Sequence, residues 1–147
     1  MSLKEQLLED LKEAMKQKEA VRKNAIQMAR AAILQVEKDK QITLDDDGVT
    51  DVIAKEVKKR KDVLPEYEKS GREDLIRDLK TEIETLMKYL PQQLTEEELE
   101  TIVRQTVEET GASSPRDMGR VMQAVMPKVK GRADGKMVNA IVKKILG

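Results

Sequence analysis

The chain has no cysteine, no histidine, no phenylalanine and no tryptophan among its 147 residues. Without cysteine there is no disulfide, no thiolate nucleophile and no thiolate metal site. Without histidine the commonest general acid–base and the commonest transition-metal ligand are also gone. Tyr67 and Tyr89 are the only aromatic side chains, so the core must be aliphatic, with eight methionines as adaptable filler. Long apolar runs are missing too: the longest is the four residues Ala31 to Leu34. A membrane-spanning helix needs about 20 apolar residues, and no signal-peptide apolar region follows the start. A cytoplasmic protein with no membrane contact is the expectation.

Net charge is also absent, since 28 basic residues balance 28 acidic ones. The balance is not local. Residues 1–91 carry 19 basic and 20 acidic side chains, and residues 92–112 carry one basic and six acidic. Residues 113–147 carry eight basic and two acidic. An acidic helix followed by a basic end points to a partner surface more than to a fold.

What is present is aliphatic periodicity, which a disordered chain of this charge content would lack. Leu3, Leu7, Leu8, Leu11, Ala14 and Met15 predict a first helix over 3–18, started by a Ser2–Glu5 capping box. Val21, Ala25, Met28, Ala29, Ala32, Ile33 and Val36 predict a second over 19–39, with a break near Gln17–Glu19. Asp45, Asp46 and Asp47 close a loop over 40–48. They suit capping of the next helix; their spacing does not fit an EF-hand. Val49, Val52, Ile53, Val57 and Leu64 predict a third helix over 49–69, with Lys55, Lys58, Lys59, Arg60 and Lys61 on its solvated outer face. Pro65 is expected to kink that helix or end it early. Leu75, Ile76, Leu79, Ile83, Leu86, Met87 and Leu90 predict a fourth over 72–90, ended by Pro91. Short connections and one apolar face per helix imply an antiparallel bundle or pair of hairpins for residues 1–91.

Residues 92–147 predict a small three-helix domain, joined to the first through Leu90–Leu94. Thr95 and Glu98 form a capping box ahead of Leu99, Ile102, Val103 and Val107, and Gly111 ends that helix. Ser114 as N-cap with Pro115 at the first helical position starts the next. Val121, Met122, Val125 and Met126 face inward, and Pro127 follows. Asp134 caps the last helix, whose apolar face is Met137, Val138, Ile141, Val142, Ile145 and Leu146. The fold class is therefore all-α, with no strand pattern and no internal repeat.

No catalytic residue, metal ligand or cofactor site emerges. Glycine-rich phosphate loops are absent, and Ser113 and Ser114 read as a helix cap. One cluster does carry chemistry. Lys128, Lys130 and Arg132 alternate around Gly131, Lys136 follows within a helical turn, and Arg120 lies about two turns back. Cations and exposed N–H groups at a helix N-terminus suit phosphate, although Asp134 can occupy those N–H groups itself. With no aromatic side chain nearby to stack on bases, a nucleic acid held there would be met at its phosphates and not at its bases. The bland alternative is a solvated loop.

Three stretches resemble the YqeY family: Tyr89-Leu-Pro-Gln-Gln-Leu-Thr-Glu-Glu-Glu-Leu99, Gly111-Ala-Ser-Ser-Pro-Arg-Asp-Met-Gly-Arg-Val-Met122, and Met126-Pro-Lys-Val-Lys-Gly-Arg-Ala-Asp-Gly135 with Val138-Asn139. The last third is also similar to the C-terminal tail of the GatB subunit of glutamine-dependent tRNA amidotransferase. The chain lacks that subunit's catalytic domain, and it has Asp134-Gly135 where the tail tends to have Asn-Pro. The resemblance implies an all-helical protein associated with carbon–nitrogen ligase chemistry that uses glutamine as amido-N-donor. It further implies a tail that docks tRNA for an amidotransferase or aminoacyl-tRNA synthetase, with Lys130, Gly131 and Arg132 matching the tail's basic turn; the charge cluster adds Arg120, Lys128 and Lys136 to the candidate set for the phosphate backbone of a folded RNA. A protein–protein interaction module with no direct RNA role is the alternative.

Overall fold

The computed structural model describes every residue from Met1 to Gly147. Helices α1 (Leu3–Lys16), α2 (Ala20–Lys40), α3 (Asp46–Ser70) and α4 (Glu73–Met87) are followed by α5 (Glu96–Thr110), a 3-10 turn (Pro115–Asp117), α6 (Met118–Val129) and α7 (Gly135–Leu146). There is no strand, as the periodicity implies. No helix is long and apolar enough to cross a membrane. Contacts divide the chain into two compact units, Met1–Leu90 and Pro91–Gly147.

In the first unit Ser2 caps α1, accepting from the Glu5 N–H at 3.1 Å. The α1–α2 break falls where expected, but without glycine or proline: Lys18 takes φ 58 and the Glu19 N–H bonds back to the Ala14 carbonyl at 2.9 Å. Gln41 repeats the device at the end of α2, with φ 55. The loop that follows is tied down by carboxylates. Glu37 accepts from the Leu44 N–H at 2.7 Å and pairs with Lys4. These two contacts, Lys4 first, hold its carboxyl below the usual range. Asp45 caps α3 through the Gly48 N–H at 2.9 Å, and Asp46 accepts from the Leu3 N–H at 3.0 Å. Gly48 packs closely under Leu44: a Cβ there would lie 2.8 Å from Leu44 Cδ2 and would make that side chain shift.

The core of this unit is aliphatic: Leu7, Leu11, Ile26, Ile33, Val49, Ile53, Val57 and Leu86, with fully buried Ala25 and Ala29 bringing helices close. Leu8, Met15, Met28 and Leu75, expected on inward stripes, are exposed. Two expectations for α3 need correction. Pro65 does not end the helix, which runs on to Ser70. Pro65 and Lys61 are both exposed there, so the carbonyl that loses its amide partner lies near water. Arg60 is not on the outer face; it is 6% exposed and lies beside Glu56 and Glu82. The Lys-rich run therefore loses its only guanidinium to the interior.

In the second unit the Thr95 hydroxyl accepts from the Glu98 N–H and donates to the Glu98 carboxylate, both at 3.1 Å, which completes the capping pair. Gly111 ends α5 at φ 69. Ser114 makes no side-chain cap, contrary to expectation. Residues 115–117 wind as a 3-10 turn instead, and Asp117 accepts from the Ser113 N–H at 3.0 Å. Leu99, Val103, Val121, Val125, Val129, Val138, Ile141, Val142 and Leu146 form the core, again with no aromatic side chain.

Candidate nucleic-acid interface

Pro127 lies inside α6, which continues to the fully buried Val129. The chain then reverses in one tight turn. Lys130 has φ −51 and ψ 125, Gly131 has φ 73, and the Arg132 N–H donates to the Val129 carbonyl at 2.8 Å. Those angles and that bond describe a type II turn, whose third position requires positive φ. Gly131 is there for that reason, since a lysine or valine would be strained. Asp134 then caps α7, accepting from the Lys136 N–H at 2.9 Å. The competition foreseen from sequence is real: one exposed amide of the α7 N-terminus is already taken by a carboxylate.

A segment before α5 clasps this turn. The Leu94 N–H donates to the Arg132 carbonyl at 2.9 Å, and Gln93 Nε2 donates to the Gly131 carbonyl at 2.8 Å. Arg132 Nε returns a bond to the Gln92 carbonyl at 3.1 Å. Three hydrogen bonds across about forty residues of sequence fix the turn's backbone and one of its guanidinium N–H groups.

The cations are placed as follows. Lys128, Lys130, Gly131 and Arg132 share the end of α6 and the turn, and Lys136 opens α7. Arg120 is rooted near the other end of α6, about 12 Å along the axis from Lys128 at 1.5 Å per residue. Several are already engaged. Lys128 Nζ lies 2.8 Å from Glu109 and 2.9 Å from the Thr106 hydroxyl, both on α5. Arg120 pairs with Asp117 at 3.2 Å. The Ser113 N–H, and then Arg120, hold the Asp117 carboxyl below the usual range. On α5, Arg104 and then Lys144 do the same for Glu100. The acidic helix thus offsets the basic end: residues 91–147 together carry nine basic and eight acidic side chains.

Gln92, Gln93, Thr106 and Glu109 were not singled out in the sequence. Gln92 and Gln93 look like spacers between two helices, and their role exists only once the turn is folded against them. Glu109 gave a partial signal, as a carboxylate on an acidic helix in a chain whose next segment is basic. The arrangement can do two things chemically. It presents ammonium and guanidinium groups on a pre-formed turn, and it holds them through solvent-exposed pairs that are worth only about 0–1 kcal/mol each.

The sequence model of the YqeY-like protein family matches residues 4–146. Among curated proteins, the chain is similar to altered inheritance of mitochondria protein 41, mitochondrial, from Candida glabrata. The two are 40% identical over 87 residues, covering 57% of this chain and 47% of that protein. The protein of the same name from Kluyveromyces lactis is 39% identical over 84 residues, covering 56% of this chain and 45% of the relative. The chain thus spans about half the length of the curated relatives it matches.

Proposed function

This chain belongs to the YqeY-like protein family, and from that premise we propose that its C-terminal unit docks the phosphate backbone of a folded RNA. A tRNA is the preferred ligand. The partner enzyme would be a glutamine-dependent amidotransferase or an aminoacyl-tRNA synthetase, and the carbon–nitrogen bond would be made there. The observation that carries this reading is the clasped type II turn, which carries Lys130 and Arg132 and is fixed from residues 92–94, with Lys128 just ahead of it on α6. A turn ordered before binding loses little entropy on binding, which favours charge recognition by shape. Similarity of the last third to a tRNA-docking tail supplies the RNA class. Arg120 and Lys136 extend the surface on either side along the chain.

The test is retention of tRNA on a filter by the whole chain and by a K128E/K130E/R132E variant. Charge reversal should abolish retention while the far-ultraviolet helical signal is unchanged. Contact with four to five phosphates gives a log–log salt slope of roughly −3 to −4. Equal retention by both proteins would remove the proposal. A second reading, a protein-docking module, is favoured by the pairing of Lys128 with Glu109 within the unit. It predicts recovery of one stoichiometric protein partner after nuclease treatment.

A further inference from the structure

Arg60 is the one charged donor in the first unit that burial leaves short of acceptors. It is 6% exposed, on α3. Its Nη1 reaches the Glu56 carbonyl at 2.9 Å and the Glu56 carboxylate at 3.4 Å. Its Nε has no hydrogen-bond partner, with Glu82 Oε1 standing off at 3.7 Å. Its Nη2 donates to the sulfur of Met28, on α2, at 3.5 Å. A thioether is a weak acceptor, so a buried guanidinium is served on that side by the poorest partner a protein offers. Met28 itself is 51% exposed, and a reagent in solvent can reach the side chain. Met1, Met15 and Met137 are also exposed, but none of them hydrogen-bonds a cation.

We propose that Met28 is a reversible oxidation site whose sulfoxide oxygen is held by Arg60. The oxidant is hydrogen peroxide. A sulfur lone pair attacks one peroxide oxygen, an S–O bond forms, the O–O bond breaks, and the departing hydroxide takes the proton from the new hydroxyl as water. Sulfur loses two electrons and the peroxide gains them. The product puts a strongly accepting oxygen at the sulfur that Nη2 already addresses. Sulfoxide formation ordinarily disrupts packing; here it replaces the weak sulfur acceptor of Nη2 with a strong oxygen acceptor. The α2–α3 contact, which Glu82 of α4 also faces, therefore tightens under peroxide and relaxes when a methionine sulfoxide reductase returns the thioether.

The experiment treats the full chain and an M28L variant with dilute hydrogen peroxide, scores each methionine by peptide mass spectrometry, and follows thermal unfolding. The oxidised wild type should unfold several degrees above its untreated form, while treated M28L gains nothing. M28Q, which supplies an amide oxygen at the same place without peroxide, should unfold above M28L. A wild-type midpoint that falls with M28L, or an M28Q midpoint at or below that of M28L, would overturn the proposal. So would a Met28 that stays a thioether after Met15 is fully oxidised.

Discussion

Lys128 and Glu109 meet at 2.8 Å, joining the last turn of α6 to the last turn of α5. The two side chains are 39% and 61% exposed, so water screens the pair and its strength is small. The Thr106 hydroxyl, on a fully buried residue, adds a second acceptor to the same ammonium at 2.9 Å. Glu109 therefore holds Lys128 in one place and competes with any phosphate for it.

Removing that competitor gives the first prediction. E109Q keeps the shape of the side chain and deletes its charge. With an exposed pair worth about 0.2–1 kcal/mol, tRNA retention should rise by a factor of about 1.4 to 5, and the gain should shrink as salt is added. Filter binding at two salt concentrations reads both effects. Retention that is unchanged or weaker in E109Q would mean that Lys128 does not face the RNA.

Thr95 supplies the second. Its hydroxyl both accepts from the Glu98 N–H and donates to the Glu98 carboxylate, at the start of the helix whose other end holds Lys128. T95A should destabilise the second unit by about 1 kcal/mol, read as a lower urea midpoint with an unchanged slope. Because the clasp ends at Leu94, one residue earlier, the same variant should also weaken RNA retention modestly. S114A should do neither, since Ser114 makes no cap.

These two residues also mark what was legible in the sequence. Thr95-Glu-Glu-Glu98 is a local signal: cap and capped amide lie three residues apart, and helix geometry alone brings them together. The apolar stripes were legible for the same reason, and with them the all-α fold. Ser114 misled because the proline after it suits a 3-10 turn as well as an α-helix, and Asp117 took over the amide of Ser113. Of the two outcomes Pro65 allows, a kink or an early end, the early end does not occur, because the bond it removes lies on an exposed stretch of α3. Arg60 sits in a run of five cations within seven residues, and only the packing of α2 and α4 against α3 decides which of them turns inward. For the site, composition located the cations and Gly131 signalled the turn. The clasp from Gln92 to Leu94 joins segments far apart in sequence, and no local pattern announces it.

The buried pair of Arg60 and Glu56 gives the third prediction. Both residues are under 10% exposed. R60L leaves Glu56 buried with only the exposed Lys59 ammonium, 3.0 Å away, to balance it. Breaking such a pair costs about 3–5 kcal/mol, large enough to be seen as a lower midpoint of the first unit in chemical unfolding. E56L/R60L removes both charges, and it should recover a substantial part of that loss. A double variant no more stable than R60L would show that Glu56 does not depend on Arg60.

The fourth prediction concerns Tyr89, just past the end of α4, whose hydroxyl donates to Asp10 on α1. Burial first, and then the hydrogen bond to the Asp10 carboxylate and its negative charge, push the hydroxyl well above its ordinary value. An unfolded tyrosine ionises near pH 10. Above that pH the unfolded chain releases a proton that the folded chain keeps, so unfolding gains free energy with each step in pH. The contribution of Tyr89 is thus fully present below about pH 10 and is lost as pH rises toward the folded value. Y89F lacks the hydroxyl and with it this dependence. Groups common to the two proteins contribute equally and cancel in the difference between them. Urea midpoints measured from pH 8 to pH 11 should therefore fall more steeply for the wild type than for Y89F, with the wild type the more stable of the two at pH 8. Parallel curves would mean that Tyr89 ionises as easily in the folded chain as in water, and that its bond to Asp10 does not restrain it.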